Sequence, residues 1–131
     1  MPQENIDAVR RVYDALNRGD WDSVFREADA DFEVTTQRGP NSGTHSRRAA
    51  VQGFGEDYLS AFDDMAFEPE EFVEAGDQVV VFLTRRARAK GGDAEMVVRN
   101  AHVWKVRAGV IHSMTSFPDP EEARQAVGLT E

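Results

Sequence analysis

Phe72-Val73-Glu74-Ala75-Gly76-Asp77-Gln78-Val79-Val80-Val81 sets two runs rich in β-branched and aromatic residues on either side of a Gly-Asp pair. That is the pattern of an antiparallel hairpin. Working outward, the apolar period is two from about Met65, and Gly91-Gly92-Asp93 and Ala108-Gly109 supply further turn signals. The C-terminal half therefore reads as four strands in an antiparallel meander. Upstream the period changes. Ile6, Val9, Val12, Tyr13 and Leu16 fall at helical spacing and Gly19 stops the run, which predicts an amphipathic helix over 4–18.

Asp20 is placed to cap a second, short helix presenting Trp21, Val24, Phe25 and Ala28, and residues 32–36 alternate like a short strand. Residues 38–43 are a loop by composition. Ser46 offers an N-cap to a third helix with Ala50, Val51, Phe54, Tyr58, Leu59 and Phe62 on its stripe. Asp119 before Pro120 caps a last helix, with Glu122 at the capping-box position and Gly128 at its end. Helices first and hairpins afterwards predict an α+β fold, with helices packed on one face of a strongly curved antiparallel sheet. No repeat, low-complexity tract or linker divides the chain, so residues 1–131 read as a single domain.

Composition narrows the function classes. The 131 residues are 40% hydrophobic and carry 24 Asp and Glu against 15 Lys and Arg, a formal charge of −9. Such an acidic balance argues against nucleic acid as a partner, because phosphate binding rests on Lys and Arg. Without Cys there are no disulfides, thiolate nucleophiles or Cys-based zinc sites. The longest purely apolar run, Val79 to Leu83, is far short of the ~20 residues that span a bilayer, so no membrane association is expected. Met1-Pro2-Gln3-Glu4-Asn5 lacks the basic flank and apolar stretch of a secretory signal, and a cytoplasmic location is the expectation.

Four strings in this order and spacing resemble the SnoaL-like branch of the nuclear transport factor two-like superfamily. They are residues 12–20 (VYDALNRGD), residues 72–81 (FVEAGDQVVV), Ala101-His102-Val103-Trp104, and residues 119–129 (DPEEARQAVGL). The resemblance covers nearly the whole chain. It implies a cone of helices and bent sheet enclosing a pocket, usually in a homodimer, and leaves the chemistry open among isomerases, cyclases, epoxide hydrolases, dehydratases and proteins with no known reaction. Comparison with ketosteroid isomerase-like relatives puts their tyrosine donor at Val12, their general base near Thr35 and their oxyanion-hole acid at Ala101, which implies that this isomerase activity is absent. Against the limonene epoxide hydrolase-like pattern Arg99 survives, but the acidic positions are Ala101 and Ser116.

A two-residue turn at Ala108-Gly109 pairs Arg107 with Val110, and strand parity then sorts the side chains. One face carries Arg99, Ala101, Val103, Lys105, His112, Met114 and Ser116; the other carries Asn100, His102, Trp104, Val106, Ile111 and Phe117. Because Ala101 aligns with a pocket acid, the Arg99 face is expected to line the pocket. The opposite face, with Trp104, Val106, Ile111 and Phe117, is expected to join a homodimer.

On this assignment Arg99 is the inward cation, ready to clamp an anionic or strongly accepting ligand group, with a structural ion pair as the competing role. His112 is the inward acid/base candidate, and Tyr58 and Tyr13 could aim phenol groups into the cavity. Trp21, Phe54, Phe62, Val103 and Met114 would form apolar walls, with Ser116 beside them, although core packing without ligand contact explains each equally well. His45 precedes a helix and could reach the mouth as a base, or be simply solvated. His102 and His112 lie on opposite faces and no His-x-x-x-His pair exists, so no metal site is expected, and no other cofactor is expected either. The run Arg85-Arg86-Ala87-Arg88-Ala89-Lys90 reads as a solvated strand end that the acidic strand of Glu68, Glu70, Glu71 and Glu74 can neutralise.

Together these readings predict a small-molecule pocket protein resembling SnoaL-like cyclases and isomerases. It would act without a cofactor on a compact apolar ligand with a polar or anionic group, using His112 or Tyr58 for the proton and Arg99 for the oxyanion. The alternatives are a non-catalytic ligand-binding or dimeric scaffold and, with no supporting feature, a protein-interaction module.

Overall fold

The computed structural model describes residues 2–36 and 43–128. Helix α1 (Pro2–Arg18) is followed by α2 (Trp21–Arg26), β1 (Ala28–Thr36), β2 (Gly43–Ser46) and α3 (Arg47–Leu59). Strands β3 (Phe62–Ala75), β4 (Gln78–Ala89), β5 (Glu95–Arg107) and β6 (Val110–Phe117) come next, and α4 (Pro120–Ala126) ends the described chain. The six strands make one curved, unclosed sheet in the order β2-β1-β6-β5-β4-β3. Strands β3 to β6 form the expected meander, while β1 joins β6 in parallel and β2 closes the edge as an antiparallel partner of β1. Most of the expected loop over 38–43 lies outside the described residues; Gly43 begins β2, a strand too short and polar to show an alternation.

The caps explain the breaks between helices. The Asp20 carboxylate accepts from Ser23 N at 3.2 Å and Asp119 accepts from Glu121 N at 3.0 Å, satisfying amides that a helix start leaves open. Ser46 departs from expectation: its hydroxyl makes no cap and donates to the Glu33 carboxylate at 3.4 Å. The β5–β6 turn has φ of +51° at Ala108 and +76° at Gly109, the double left-handed geometry of a tight type I′ hairpin.

Beyond that turn the register shifts. Val106 faces Ile111, but Lys105 faces Ser113, so His112 is an extra residue on β6 and every later pair moves by one. Trp104 lies opposite Met114 and His102 opposite Ser116, where uninterrupted pairing predicts Val103 opposite Met114 and Ala101 opposite Ser116. The bulge carries Met114 and Ser116 onto the even-numbered face of β5.

That face is the one covered by helices. Val79, Val81 and Leu83 of β4 join Trp104 and Val106 of β5 and Ile111 of β6 against α1, burying Val9, Val12 and Tyr13. Trp104 is 2% exposed, so the expectation that Trp104, Val106 and Ile111 form an outer dimer face is corrected: together they offer more apolar surface than Ala101 and Val103 of the opposite face, and burying them against α1 gains more. The opposite face is smaller. Val80, Phe82, Ala101 and Val103 pack there under Ala123 of α4, with Phe117 at the margin. No described helix is long and apolar enough to cross a membrane.

Candidate functional site

Between α1, α2, α3 and the inner sheet face lies a cavity of about 320 Å³. Its wall is mostly apolar: Trp21, Val24, Phe32, Val51, Phe54 and Ile111 face it. One close approach shapes it. A Cβ on Gly55 of α3 would collide with Cη2 of Trp21, so the tip of the indole sits against helix backbone that only glycine leaves open.

The polar part is an arc across the sheet. Thr36 of β1, Ser116 of β6 and His102 of β5 occupy one cross-strand row, since Thr36 pairs with Ser116 and Ser116 with His102. Asn100 follows two residues along β5, on the same side as His102. Arg85 of β4 is diagonal to Asn100, its direct partner being Val98, and Tyr58 reaches over from α3. Asp and Glu are absent from the described lining.

His102 is held by a buried network whose protons can be assigned by elimination. Trp104 Nε1–H, a donor only, donates to the Tyr13 hydroxyl oxygen at 3.0 Å. The Tyr13 oxygen stands 2.6 Å from His102 Nδ1. If Nδ1 were the donor, the phenolic proton would be left buried without an acceptor; if Tyr13 donates to Nδ1, all three groups are satisfied. His102 is thus the Nε2–H tautomer, and no described residue bonds that N–H. Burial pushes the imidazole down to about 3, with the nearby Arg85 charge acting in the same direction, while burial raises the Tyr13 phenol. At neutral pH the ring is an uncharged donor rather than an imidazolium.

Arg85 is the cation of this cavity. Its Nη1 donates to the Tyr58 hydroxyl, its Nε is buried without a partner, and it makes no ion pair among the described residues. Asn100 is 2% exposed, and its Oδ1 is likewise buried and unpartnered. Arg85, Asn100 and His102 therefore line one apolar space side by side, the guanidinium without an ion pair among the described residues and the imidazole N–H without a described partner. Such a set can hold an oxygen-bearing group and stabilise negative charge developing on it. Among the described residues no group of His, Asp or Glu gathers as a metal site would require.

The expected site residues divide. Trp21, Phe54, Tyr58, Met114 and Ser116 line the cavity. Tyr13 stands one layer behind it as the partner of His102, and Phe62 packs on Tyr58 with ring centroids 5.6 Å apart. Arg99 is corrected to the outer face, where its side chain is 73% exposed and donates to Glu70 at 2.8 Å. Val103 is corrected to the outer cluster under α4, and half-buried His112 to the bulge. His45 stacks on Phe54, centroids 4.3 Å apart, behind the cavity wall. Of the positions compared with the isomerase, Val12 lines the cavity, the Thr35 hydroxyl bonds Thr44 at 2.9 Å, and Ala101 faces α4. The inward neighbours of Ala101 are Asn100 and His102.

His102, Asn100 and Arg85 were the residues missed, although a signal for them existed. Val79, Val81 and Leu83 alternate in step with Arg85, and His102 alternates with Trp104 and Val106. On β5 the face with Trp104 and Val106 is bulkier than the face with Ala101 and Val103, and it is the inner one.

Solved structures extend the argument. TerC, in a crystal structure with polyporic acid, superposes with a TM-score of 0.81 at 25% identity, covering 95% of this chain and 98% of that one. An NTF2-like protein of unknown function from Burkholderia pseudomallei gives 0.81 at 26% identity, covering 95% and 97%. A putative SnoaL-like polyketide cyclase from Jannaschia sp. shares the fold, at 0.77 and 16% identity over 96% and 92%. No curated protein matches the chain. The family profile described as the SnoaL-like domain matches residues 9–114. With its helices on a curved six-stranded sheet and that match over most of its length, the chain belongs to the SnoaL-like domain family of the NTF2-like superfamily.

Proposed function

We propose that this protein binds a compact, largely apolar small molecule bearing an anionic or strongly accepting oxygen group, and promotes proton transfer beside a carbonyl as a SnoaL-like cyclase or isomerase would. The observation that carries the reading is that an Arg85 guanidinium with no ion pair among the described residues and a His102 N–H with no described partner both line an apolar cavity of about 320 Å³. Both groups would strengthen their bonds as a carbonyl oxygen becomes an enolate, which is differential stabilisation of the transition state. Tyr58 accepts from Arg85, so its own proton is free to turn toward a ligand, and it is the lining group suited to exchange that proton. The TerC complex supports a ligand-holding cavity in this fold, and polyporic acid is the first probe to use.

Trp21 and Trp104 line the cavity and would report its occupation. Saturable quenching of tryptophan fluorescence by polyporic acid or a compact aromatic acid, weakened in Arg85→Met, is the expected result. Absence of saturable binding across such compounds would remove the proposal. A non-catalytic binding role is favoured by two features, the carboxylate-free lining and a His102 held neutral and protonated on Nε2, which leaves it no base function near neutral pH. Deuterium exchange into the α-carbon of 2-tetralone separates the readings. Exchange faster than buffer and lost in Tyr58→Phe supports catalysis, and binding without acceleration supports the non-catalytic role.

A further inference from the structure

Strand β5 outruns its neighbour β6. Its pairs with β6 run from Arg107 back to Ala101, opposite Phe117, and stop there, while its pairs with β4 continue to Glu95. Past Phe117 the chain leaves the sheet for α4, so among the described residues no strand lies beside residues 95–99 on that side. All five are exposed, whereas Asn100 and Ala101 next to them are buried. The backbone of this stretch has a definite direction. Val106 N donates to Asp77 O at 2.9 Å, toward β4, and β4 and β5 pair without a bulge. Even-numbered residues of β5 therefore turn their N–H and C=O toward β4, and Glu95, Val97 and Arg99 turn theirs to the open edge. An unpaired edge of this kind is a template for another strand. The residues on it say which. Glu95-Met96-Val97-Val98-Arg99 sets opposite charges at equal distances from a central valine, a pattern that complements itself when the strand runs antiparallel to a second copy.

We propose that two copies of this chain join edge to edge through residues 95–99 of β5, antiparallel about a two-fold axis at Val97, so that their sheets become continuous. Each Glu95 then lies opposite the second copy's Arg99, each Met96 opposite its Val98, and Val97 opposite Val97. The odd-numbered residues that meet are the ones whose backbone groups point outward, so each of those pairs can exchange both of its hydrogen bonds. An axis at Met96 or at Val98 would set Glu95 or Arg99 opposite Val97 and lose the charge match. Within one chain Glu95 stands 3.8 Å from Arg86, and Arg99 donates to Glu70 at 2.8 Å. These exposed pairs share the outer face with Val97, where the second copy's charges extend them into one network across the axis.

Sedimentation and cysteine cross-linking test this. Wild type should sediment as a dimer at micromolar concentration. Glu95→Arg, which sets like charges against each other across the axis, should be a monomer, and Glu95→Arg combined with Arg99→Glu should be a dimer again. Because the chain has no Cys, single-cysteine variants report one position each. Residues of a non-hydrogen-bonded antiparallel pair have Cα atoms about 4.5 Å apart, within disulfide reach. An equimolar mixture of Met96→Cys and Val98→Cys under mild oxidation should therefore cross-link several-fold faster than either variant alone. Both positions share the inner side of β5 with Asn100 and His102, so a dimer packed through the outer sheet face would not join them. The proposal fails if wild type is a monomer, whatever other partner the edge then takes. It fails too if Glu95→Arg leaves the dimer intact, if reversing both charges does not restore it, or if the mixture cross-links no faster than its components. Should either charge variant not fold, as judged by its melting curve, the cross-linking decides.

Discussion

Tyr13 makes no contact with the cavity, yet it decides what His102 can do there. Its hydroxyl spends its proton on Nδ1 and its lone pair on Trp104, so the imidazole is fixed in one tautomer and one orientation. Tyr13→Phe leaves a buried indole N–H and a buried ring nitrogen without partners, and a loss of about 1–3 kcal/mol is expected in urea unfolding. The same variant should lose the Nε2–H assignment in ¹⁵N spectra of His102, which a change in packing alone would not alter. The network also sets a pH dependence. Burial holds His102 down at about 3 in the folded protein against 6.5 in the solvated, unfolded chain, so between those values the unfolded chain binds a proton that the folded chain refuses. Its contribution is complete above pH 6.5 and is lost as pH falls toward 3. Between pH 7 and pH 5 wild type should lose about 2 kcal/mol by this route, measured by urea unfolding, and His102→Phe should flatten that slope. Arg99 gives the opposite expectation. Since its pair with Glu70 is largely exposed, Arg99→Met should cost under about 1 kcal/mol and leave ligand binding unchanged, as thermal melting and titration would show.

At the scale of elements, the β6 bulge and the contact of α3 with Trp21 do the most to position the site. His112 consumes one residue of register and so turns Met114 and Ser116 inward, without which the polar arc would stop at β5. On the facing side, Gly55 lets α3 sit against the indole of Trp21. Gly55→Ala would raise helix propensity and, in an exposed helix, stabilise. Here the added methyl must push the indole toward the cavity, and overpacking of this kind costs about 1–3 kcal/mol, which outweighs the propensity gain of up to about 1 kcal/mol. A lower melting temperature, a shifted tryptophan emission and weaker ligand binding are the expected signs.

For the whole molecule, the two faces of the sheet are unequal. The inner face buries the large residues and the cavity, while α4 covers part of the outer face and leaves the start of β5 bare. Met96, Val97 and Val98 are 43%, 51% and 39% exposed, three consecutive apolar residues on strand β5. We propose that the homodimer expected from the family resemblance forms through this strip, with Val97 on the outer side opposite Arg86. Val97→Glu should convert a dimer to a monomer in sedimentation at micromolar concentration without changing the melting of the subunit core. A wild-type monomer at that concentration would overturn the dimer.

Periodicity and turn chemistry determined most of the elements, but not β2, nor the strand start at Phe62, which the helical stripe had absorbed. The Ile6 to Leu16 stripe, the Asp20 and Asp119 caps and the Ala108-Gly109 turn are local, because each depends on residues within a few positions of one another and on nothing that the rest of the chain can change. The SnoaL-like resemblance and the α+β class were legible for the same reason. Which side of the sheet faces the helices is a property of the assembled molecule. It depends on where the bulge falls between Val106 and Ser113, since a single extra residue reverses the facing of every side chain beyond it. It depends also on the comparative gain from burying Trp104, Val106 and Ile111 against α1 rather than Ala101 and Val103. Arg99 and Arg85 look alike along the chain. Only the packed sheet decides that one meets Glu70 in water and the other meets an apolar cavity with no carboxylate among the described residues to balance it.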